Sequence, residues 1–251
     1  MELQVTGQTD TGAVRSANQD AIDWCVEPSS GQALLVVADG MGGYQGGEVA
    51  SRIAVDTVME VLGPALQDPV LREPPGSESR AALVQSALDL ASERIEGRKA
   101  QVPDLVKMGT TIVLAWVSGQ RALVAHIGDS RCYLVQNNTL QCLTRDDTVV
   151  QNMLEDGSIR EHDVPNVPFR NVLTRALGAS DAIATFSEVL LAPGDQLLLC
   201  SDGLTDALGD AIWLTLLSQA ESVQGAVQSM VAASLAEKAK DNVSVVLLST
   251  N

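Results

Sequence analysis

Apolar residues follow two rhythms along this chain. Short runs rich in β-branched residues predict strands: "LQVTG", "AIDWCV", "ALLVVAD", "TTIVLAWV", "RALVAHIG", "CYLVQ", "TLQCLT", "DQLLLC" and "NVSVVLLS". The links "SGQ" and "QNN" are short enough for hairpins, so neighbouring strands should run antiparallel. "ALLVVAD" and "DQLLLCSD" are continuously apolar, as expected of strands covered on both faces. The second rhythm is helical. From Glu48 onward Ile53, Ala54, Val58, Val61 and Leu62 share one face, and Leu83, Val84, Ala87, Leu88, Ala91 and Ile95 share another. The Pro-rich "GPALQDPVLREPPGSES" between them predicts a loop, and two further helices are expected within 210–240. Strands and helices in separate blocks indicate an α+β fold, and with no repeat or low-complexity linker one domain is expected over 1–251.

Composition narrows the class. The chain has 251 residues, 45% hydrophobic and 19% charged, a globular composition. Its 32 acids against 16 basic residues give a net charge of -16, which argues against non-specific binding to nucleic acid or to an anionic membrane. No apolar run approaches spanning length and "MELQVTGQTD" is not a signal peptide, so a cytoplasmic location is expected. Cys25, Cys132, Cys142 and Cys200 stand far apart without a C-x-x-C pair, which reads as buried thiols in a reducing compartment. The two histidines are isolated. His126 lies in a strand and reads as a hydrogen-bonded structural residue, and His162 lies in a polar stretch and reads as solvated.

Five aspartates share one context, each at the edge of an apolar strand beside a turn. They are Asp20 of "VRSANQD", Asp39 of "LLVVAD", Asp129 of "HIGDSR", Asp202 of "LLLCSDG" and Asp241 of "KDNVSVV". Any one alone reads as a turn or capping residue. Five strand ends converging at one edge of a sandwich would repel one another unless cations intervene, and an all-oxygen donor set favours Mg²⁺ or Mn²⁺. Glycines after Asp39 and Asp202 permit close backbone approach.

The ordered series "VRSANQD", "VVADGMGGYQGGEVAS", "MGTTIVLAW", "AHIGDSRCYLV", "NVLTRALG", "LLLCSDGLTDAL" and "DNVSVVLL" resembles the PP2C-type (PPM) metal-dependent protein serine/threonine phosphatases, bacterial type. The resemblance runs from about residue 4 to 248. It implies a four-layer α-β-β-α sandwich of two antiparallel sheets, with a dinuclear metal centre at one edge and a flap at about 145–172. By motif, Asp39 should bridge two Mn²⁺ or Mg²⁺ ions and Gly40 should offer its carbonyl to one. Asp202 and Asp241 should complete the more enclosed site, and Asp20 should support the second ion, directly or through water. Asp129 should hold a third, weaker ion shared with Asp202, and Arg15 should bind the substrate phosphate.

The implied reaction is hydrolysis of phosphoserine or phosphothreonine in proteins by a metal-activated water, with Arg15 orienting the phosphoryl group. Two alternatives use the same residues: a phosphatase of small phosphoesters, and a phosphoprotein-binding pseudophosphatase. Expected partners are phosphoproteins, including a cognate Ser/Thr kinase or its substrates, and the chain is expected to be a monomer. Four positions are departures or ambiguities against the family pattern. Met41 stands where eukaryotic relatives have a histidine proposed as general acid and bacterial relatives also have Met, which leaves that role unassigned. Tyr44 stands where bacterial relatives commonly have histidine, and Asp147 and Val167 of the flap stand where relatives often carry histidine. Gly109, Thr110 and Thr111 read as a structural turn and strand, and Arg131 as a brace for neighbouring aspartates.

Overall fold

The computed structural model describes residues 2–42, 46–71, 76–179 and 182–251, so Tyr44 lies outside the described residues. The first half of the chain runs β1 (Leu3–Asp10), β2 (Asp20–Glu27), β3 (Gln32–Met41), α1 (Gly46–Ala65), α2 (Gly76–Gln101), β4 (Gly109–Thr110), β5 (Ile112–Ser118) and β6 (Arg121–Ile127). It continues with β7 (Arg131–Gln136), β8 (Thr139–Cys142), α3 (Val149–Glu155), β9 (Thr185–Leu190) and β10 (Gln196–Cys200). The last elements are α4 (Asp202–Ala207), α5 (Asp210–Gln219), α6 (Val223–Ala236) and β11 (Val243–Thr250).

All pairings are antiparallel, and they form one sheet in the order β1-β11-β10-β7-β8 and another in the order β2-β3-β5-β6-β9, with β4 added beside β3. The hairpin links are as read. Asn137 and Asn138 both take positive φ in the β7–β8 turn, and Gly119 does so between β5 and β6.

The period-two side-chain alternation explains why β3 is apolar at every position from Ala33 to Ala38. Leu35 and Val37 face the other sheet and pack with Val113, Leu134, Leu199 and Val246. Leu34 and Val36 face outward and pack under α1 and α2 against Val58, Leu62, Leu88 and Ile95. On the other side, Leu198, Cys200, Val245 and Leu247 lie beneath Trp213, Val227 and Met230 of α5 and α6, where Tyr133 meets Trp213 edge to face at 5.0 Å. The layers are therefore helix, sheet, sheet, helix, as the resemblance implied.

Four details correct the sequence reading. The predicted loop is shorter, because α1 continues through Pro64 to Ala65 and α2 begins at Gly76. Strand β9 was missed because only half of it is covered and its edge position leaves no clean alternation. Helix α4 was also missed, so Asp202 opens a helical turn rather than ending a strand. Cys132 and Cys200 are buried, but Cys25 is half-buried and Cys142 is exposed on the edge strand β8.

Candidate metal centre and active-site cleft

Strand ends and turns at one edge of the two sheets surround a cleft of about 590 Å³. Arg15, Asp39, Gly40, Asp129, Asp202 and Asp241 all line it, so six of the seven residues singled out by the sequence are brought together. The seventh, Asp20, is buried beside Asp39 and does not itself line the cleft. It is the antiparallel partner of Asp39 in the β2–β3 register, and its carboxyl rests against that of Asp39. Like charges placed directly opposite each other destabilise a sheet, so this pairing needs compensation.

Part of that compensation comes from hydroxyls. Ser201 Oγ and Ser244 Oγ donate to Asp20 Oδ2 at 2.8 and 2.6 Å. Asp20 Oδ1 and Asp202 Oδ1 are buried and have no hydrogen-bond partner among the described residues. Buried carboxylate oxygens without donors are costly and point to a missing cation or proton.

The backbone around Asp39 is fixed by neighbours rather than by its own side chain. Its N–H donates to Thr111 Oγ1 at 3.0 Å, and its carbonyl accepts from Thr111 N–H and Thr110 Oγ1, both at 2.8 Å. Thr111 Oγ1 also meets Ser130 Oγ at 2.8 Å, which ties the Asp39 strand end to the Asp129 turn. Thr110 and Thr111 are thus structural, as read, but they act within the site itself. Gly40 must be glycine, since a Cβ there would lie 2.0 Å from Gly47 O and 2.5 Å from Gln19 O.

Asn242 was not singled out by the sequence. It accepts from Gln19 N–H at 2.8 Å and donates to Thr11 O and Ala17 O at 2.8 and 3.0 Å, so it pins the loop that carries Arg15. The only signal was its place between Asp241 and the last apolar run. Arg15 Nη2 donates to Asp241 Oδ2 at 2.6 Å, so the expected phosphate-binding guanidinium faces a carboxylate of the same site. Arg131 braces Asp146 through two bonds, of 2.8 and 2.6 Å.

Another wall of the cleft comes from residues 171–176, across the C-terminal boundary of the expected flap. Its anchor is Asp147, fully buried, one of the positions that depart from the family pattern. Asp147 Oδ2 accepts from Gly128 N–H at 3.0 Å, and Oδ1 takes a short charge-assisted bond from Arg175. Met41 also lines the cleft. His126 Nε2 is engaged with Arg145 O at 2.7 Å, and His162 is exposed, so both histidines have the structural and solvated places expected of them.

Burial, and after it mutual repulsion, disfavours the ionised form of these carboxyls. Burial raises Asp39 well above the usual range, helped by Asp20, Asp202, Asp129 and Asp241. Burial raises Asp202 to about 8, with Asp129 and Asp241 adding to it. Asp20 and Asp129 rise to about 6, each chiefly through burial.

These groups hold protons more tightly folded than unfolded, so their stabilising contribution is present at low pH and lost as pH rises through the folded values. Melting of the chelator-treated protein should therefore fall between about pH 4 and pH 8. Added Mn²⁺ should raise the melting temperature more at pH 8 than at pH 5, because only ionised carboxylates bind it. Calorimetry showing metal-free melting independent of pH from 5 to 8 would contradict this account.

Among the described residues, no three His, Cys, Asp or Glu side chains form a ready ligand cage. The donor set still suits hard divalent ions: it is all oxygen, it contains two buried oxygens without donors, and its carboxyls resist ionising without a cation.

A family model described as "Protein phosphatase 2C" matches residues 13–242. The chain belongs to the protein phosphatase 2C family. It is 34% identical over 245 residues to the serine/threonine protein phosphatase PstP of Mycobacterium tuberculosis. That match covers 98% of this chain but 44% of PstP, so the chain spans less than half the length of that curated relative. It is 33% identical over 253 residues to the serine/threonine phosphatase stp of Listeria welshimeri, covering 97% of this chain and 94% of the relative.

Among solved protein phosphatase 2C structures, the S. agalactiae serine/threonine phosphatase superposes with a TM-score of 0.89 at 29% identity over the whole of both chains. The catalytic domain of PstP in complex with 2 manganese ions gives a TM-score of 0.82 at 31% identity, covering 98% of this chain and 97% of that one.

Proposed function

We propose that this member of the protein phosphatase 2C family hydrolyses phosphoserine and phosphothreonine monoesters in proteins, using two Mn²⁺ or Mg²⁺ ions held at the cleft. The observation that carries this reading is the pair of donorless buried oxygens, on Asp20 and Asp202, among carboxyls that share the cleft with the Arg15 guanidinium. Asp39, Asp202, Asp241 and the Gly40 carbonyl would hold the ions, with Asp20 behind Asp39 and Asp129 beside Asp202 at a third, weaker position. When bound, the ions supply the positive charge that lowers the pKa of water toward neutrality and offsets charge on the phosphoryl group.

The protein's own residues do the rest. Arg15 exchanges its bond to Asp241 for phosphate oxygens and orients phosphorus for in-line attack. Thr110 and Thr111 hold the Asp39 backbone, and Ser201 and Ser244 keep the Asp20 carboxyl turned toward the site. The wall at 171–176 narrows the cleft around the phosphoryl group. Met41 has no proton to give, and the cysteines lie outside the cleft.

The direct test is phosphate release from a phosphothreonine peptide with Mn²⁺, compared with chelator-treated protein and with a sugar phosphate. Undiminished release after chelation overturns the mechanism, and a preference for the sugar phosphate overturns the substrate class.

Arg15→Ala should raise KM for the phosphopeptide by about 10- to 100-fold, the worth of a charged hydrogen bond. Affinity for Mn²⁺ should not fall, because Asp241 loses the cation that competes for it. Steady-state kinetics with a parallel metal titration checks both, and a large loss of kcat at constant KM contradicts the ground-state role.

A further inference from the structure

The cleft does not end at Arg15. A second groove of about 500 Å³ opens on the far side of Arg15 and Asp241, and the two cavities share Arg15, Asn171 and Asp241. The two cavities therefore adjoin at Arg15, Asn171 and Asp241.

The charge of this groove departs from that of the chain. Overall, acids outnumber basic residues 32 to 16. Around the groove, Arg15, Arg170, Lys238 and Lys240 meet only Asp206, Glu237 and Asp241. Asp241 is engaged by Arg15 at 2.6 Å, and Asp206 lies 3.9 Å from Arg170. Lys238 and Lys240 have no recorded ion-pair partner among the described residues.

Backbone geometry singles out Lys238. It follows α6 with φ +59°, a left-handed conformation that glycine adopts without strain and lysine does not. A strained lysine at a helix end whose side chain lines a groove is a reason to look for function. The rim adds apolar surface. Val14, next to Arg15, is 67% exposed, and Phe169 and Val172, on either side of Arg170 and Asn171, are 43% and 49% exposed. Cations lining a groove, with exposed apolar side chains at neighbouring positions in the chain, suit an extended acidic polypeptide.

We propose that the second groove holds the polypeptide flanking the phosphorylated residue, and that Lys238, Lys240 and Arg170 select substrates bearing Asp or Glu within a few residues of it. This rests on the phosphatase reading above and specifies its substrates. The chain as a whole, at a net charge of -16, repels acidic polypeptides, so a groove where basic residues outnumber acids favours an acidic flank locally.

The test compares two phosphothreonine peptides that differ only in flanking Asp and Glu against Asn and Gln, with an aryl phosphate as a reference that has no flank. The wild-type chain should show kcat/KM about fivefold or more higher for the acidic peptide at low salt, a preference that shrinks as salt screens it. Lys238→Ala with Lys240→Ala should abolish the preference and leave aryl phosphate hydrolysis unchanged, while arginine at both positions should retain it.

Equal kcat/KM for the two peptides in the wild type, or a preference that survives in the double alanine variant, overturns the proposal. Anisotropy titration of the labelled peptides onto the Asp39→Asn variant reads the groove without turnover. Tighter binding of the acidic peptide, lost on removing both lysines, supports it, and equal binding overturns it. Absence of hydrolysis of every substrate with Mn²⁺ counts against the phosphatase reading alone, since the binding arm still decides the groove.

Discussion

Asp39→Asn should abolish turnover of phosphopeptide and at the same time raise the melting temperature of the metal-free protein. The two effects have opposite signs because they arise from different states. In the metal-free chain the Asp39 carboxyl is buried and is pushed toward neutrality by Asp20, Asp202, Asp129 and Asp241. An amide of the same shape removes that repulsion at its centre. The backbone bonds to Thr110 and Thr111 involve no side-chain atom of Asp39, so the strand end keeps its geometry. With metal bound, the same change would remove one of the carboxylates proposed to hold the ions. Turnover should fall by about three orders of magnitude or more, on the order of 4 kcal/mol of barrier. The stabilisation by added Mn²⁺ should shrink in step. If Asp39 were only a capping residue of the turn, both stability and activity would change little, and matched calorimetry and phosphate release distinguish the two cases.

The second large effect is expected at Asp147. Its carboxyl is fully buried and joins two segments far apart in sequence, accepting from Gly128 N–H and pairing with Arg175. Its backbone repeats the link, donating to Gly128 O at 3.0 Å and accepting from Thr174 N–H at 2.7 Å. Gly128 takes φ +102°, and a Cβ there would lie 2.7 Å from Thr111, so the turn before Asp129 has little freedom to adapt.

Asp147→Ala leaves an unbonded backbone N–H and an unpaired guanidinium. Breaking a buried pair costs about 3–5 kcal/mol. The Arg175 side chain is 30% exposed, so water recovers part of its loss and the lower end applies. Against a total stability of roughly 5–15 kcal/mol, that is enough to show plainly in a denaturant titration. Because Arg175 and residues 171–176 form the cleft wall, kcat/KM should drop in the fraction that remains folded. Asp147→Asn, which keeps an acceptor for Gly128 but loses the charge, should fall between the two. A loss below about 1 kcal/mol for the alanine variant would show that the pair is not the anchor of the wall.

The sequence alone determined the class of fold and most of the residues that meet at the cleft. The unbroken apolar run of β3 required cover on both faces, and α1, α2 and the second sheet supply it. The ordered motifs picked out Arg15, Asp39, Gly40, Asp129, Asp202 and Asp241, which line one cleft. These features were legible because periodicity, turn residues and motif spacing are local properties of the chain.

What only the tertiary structure decided depends on register and on contacts between distant segments. Asp20 opposes Asp39 through the β2–β3 register, and its partners Ser201 and Ser244 lie 181 and 224 residues away. Arg15 meets Asp241 across 226 residues, and Asp147 meets Arg175 across 28. No single-residue pattern encodes such pairings, since a serine or aspartate reads the same whether it faces solvent or a buried carboxyl. The edge strand β9 and the single-turn helix α4 escaped for a related reason. Each is too short or too weakly patterned to form alone, and each is held in place by neighbours already folded.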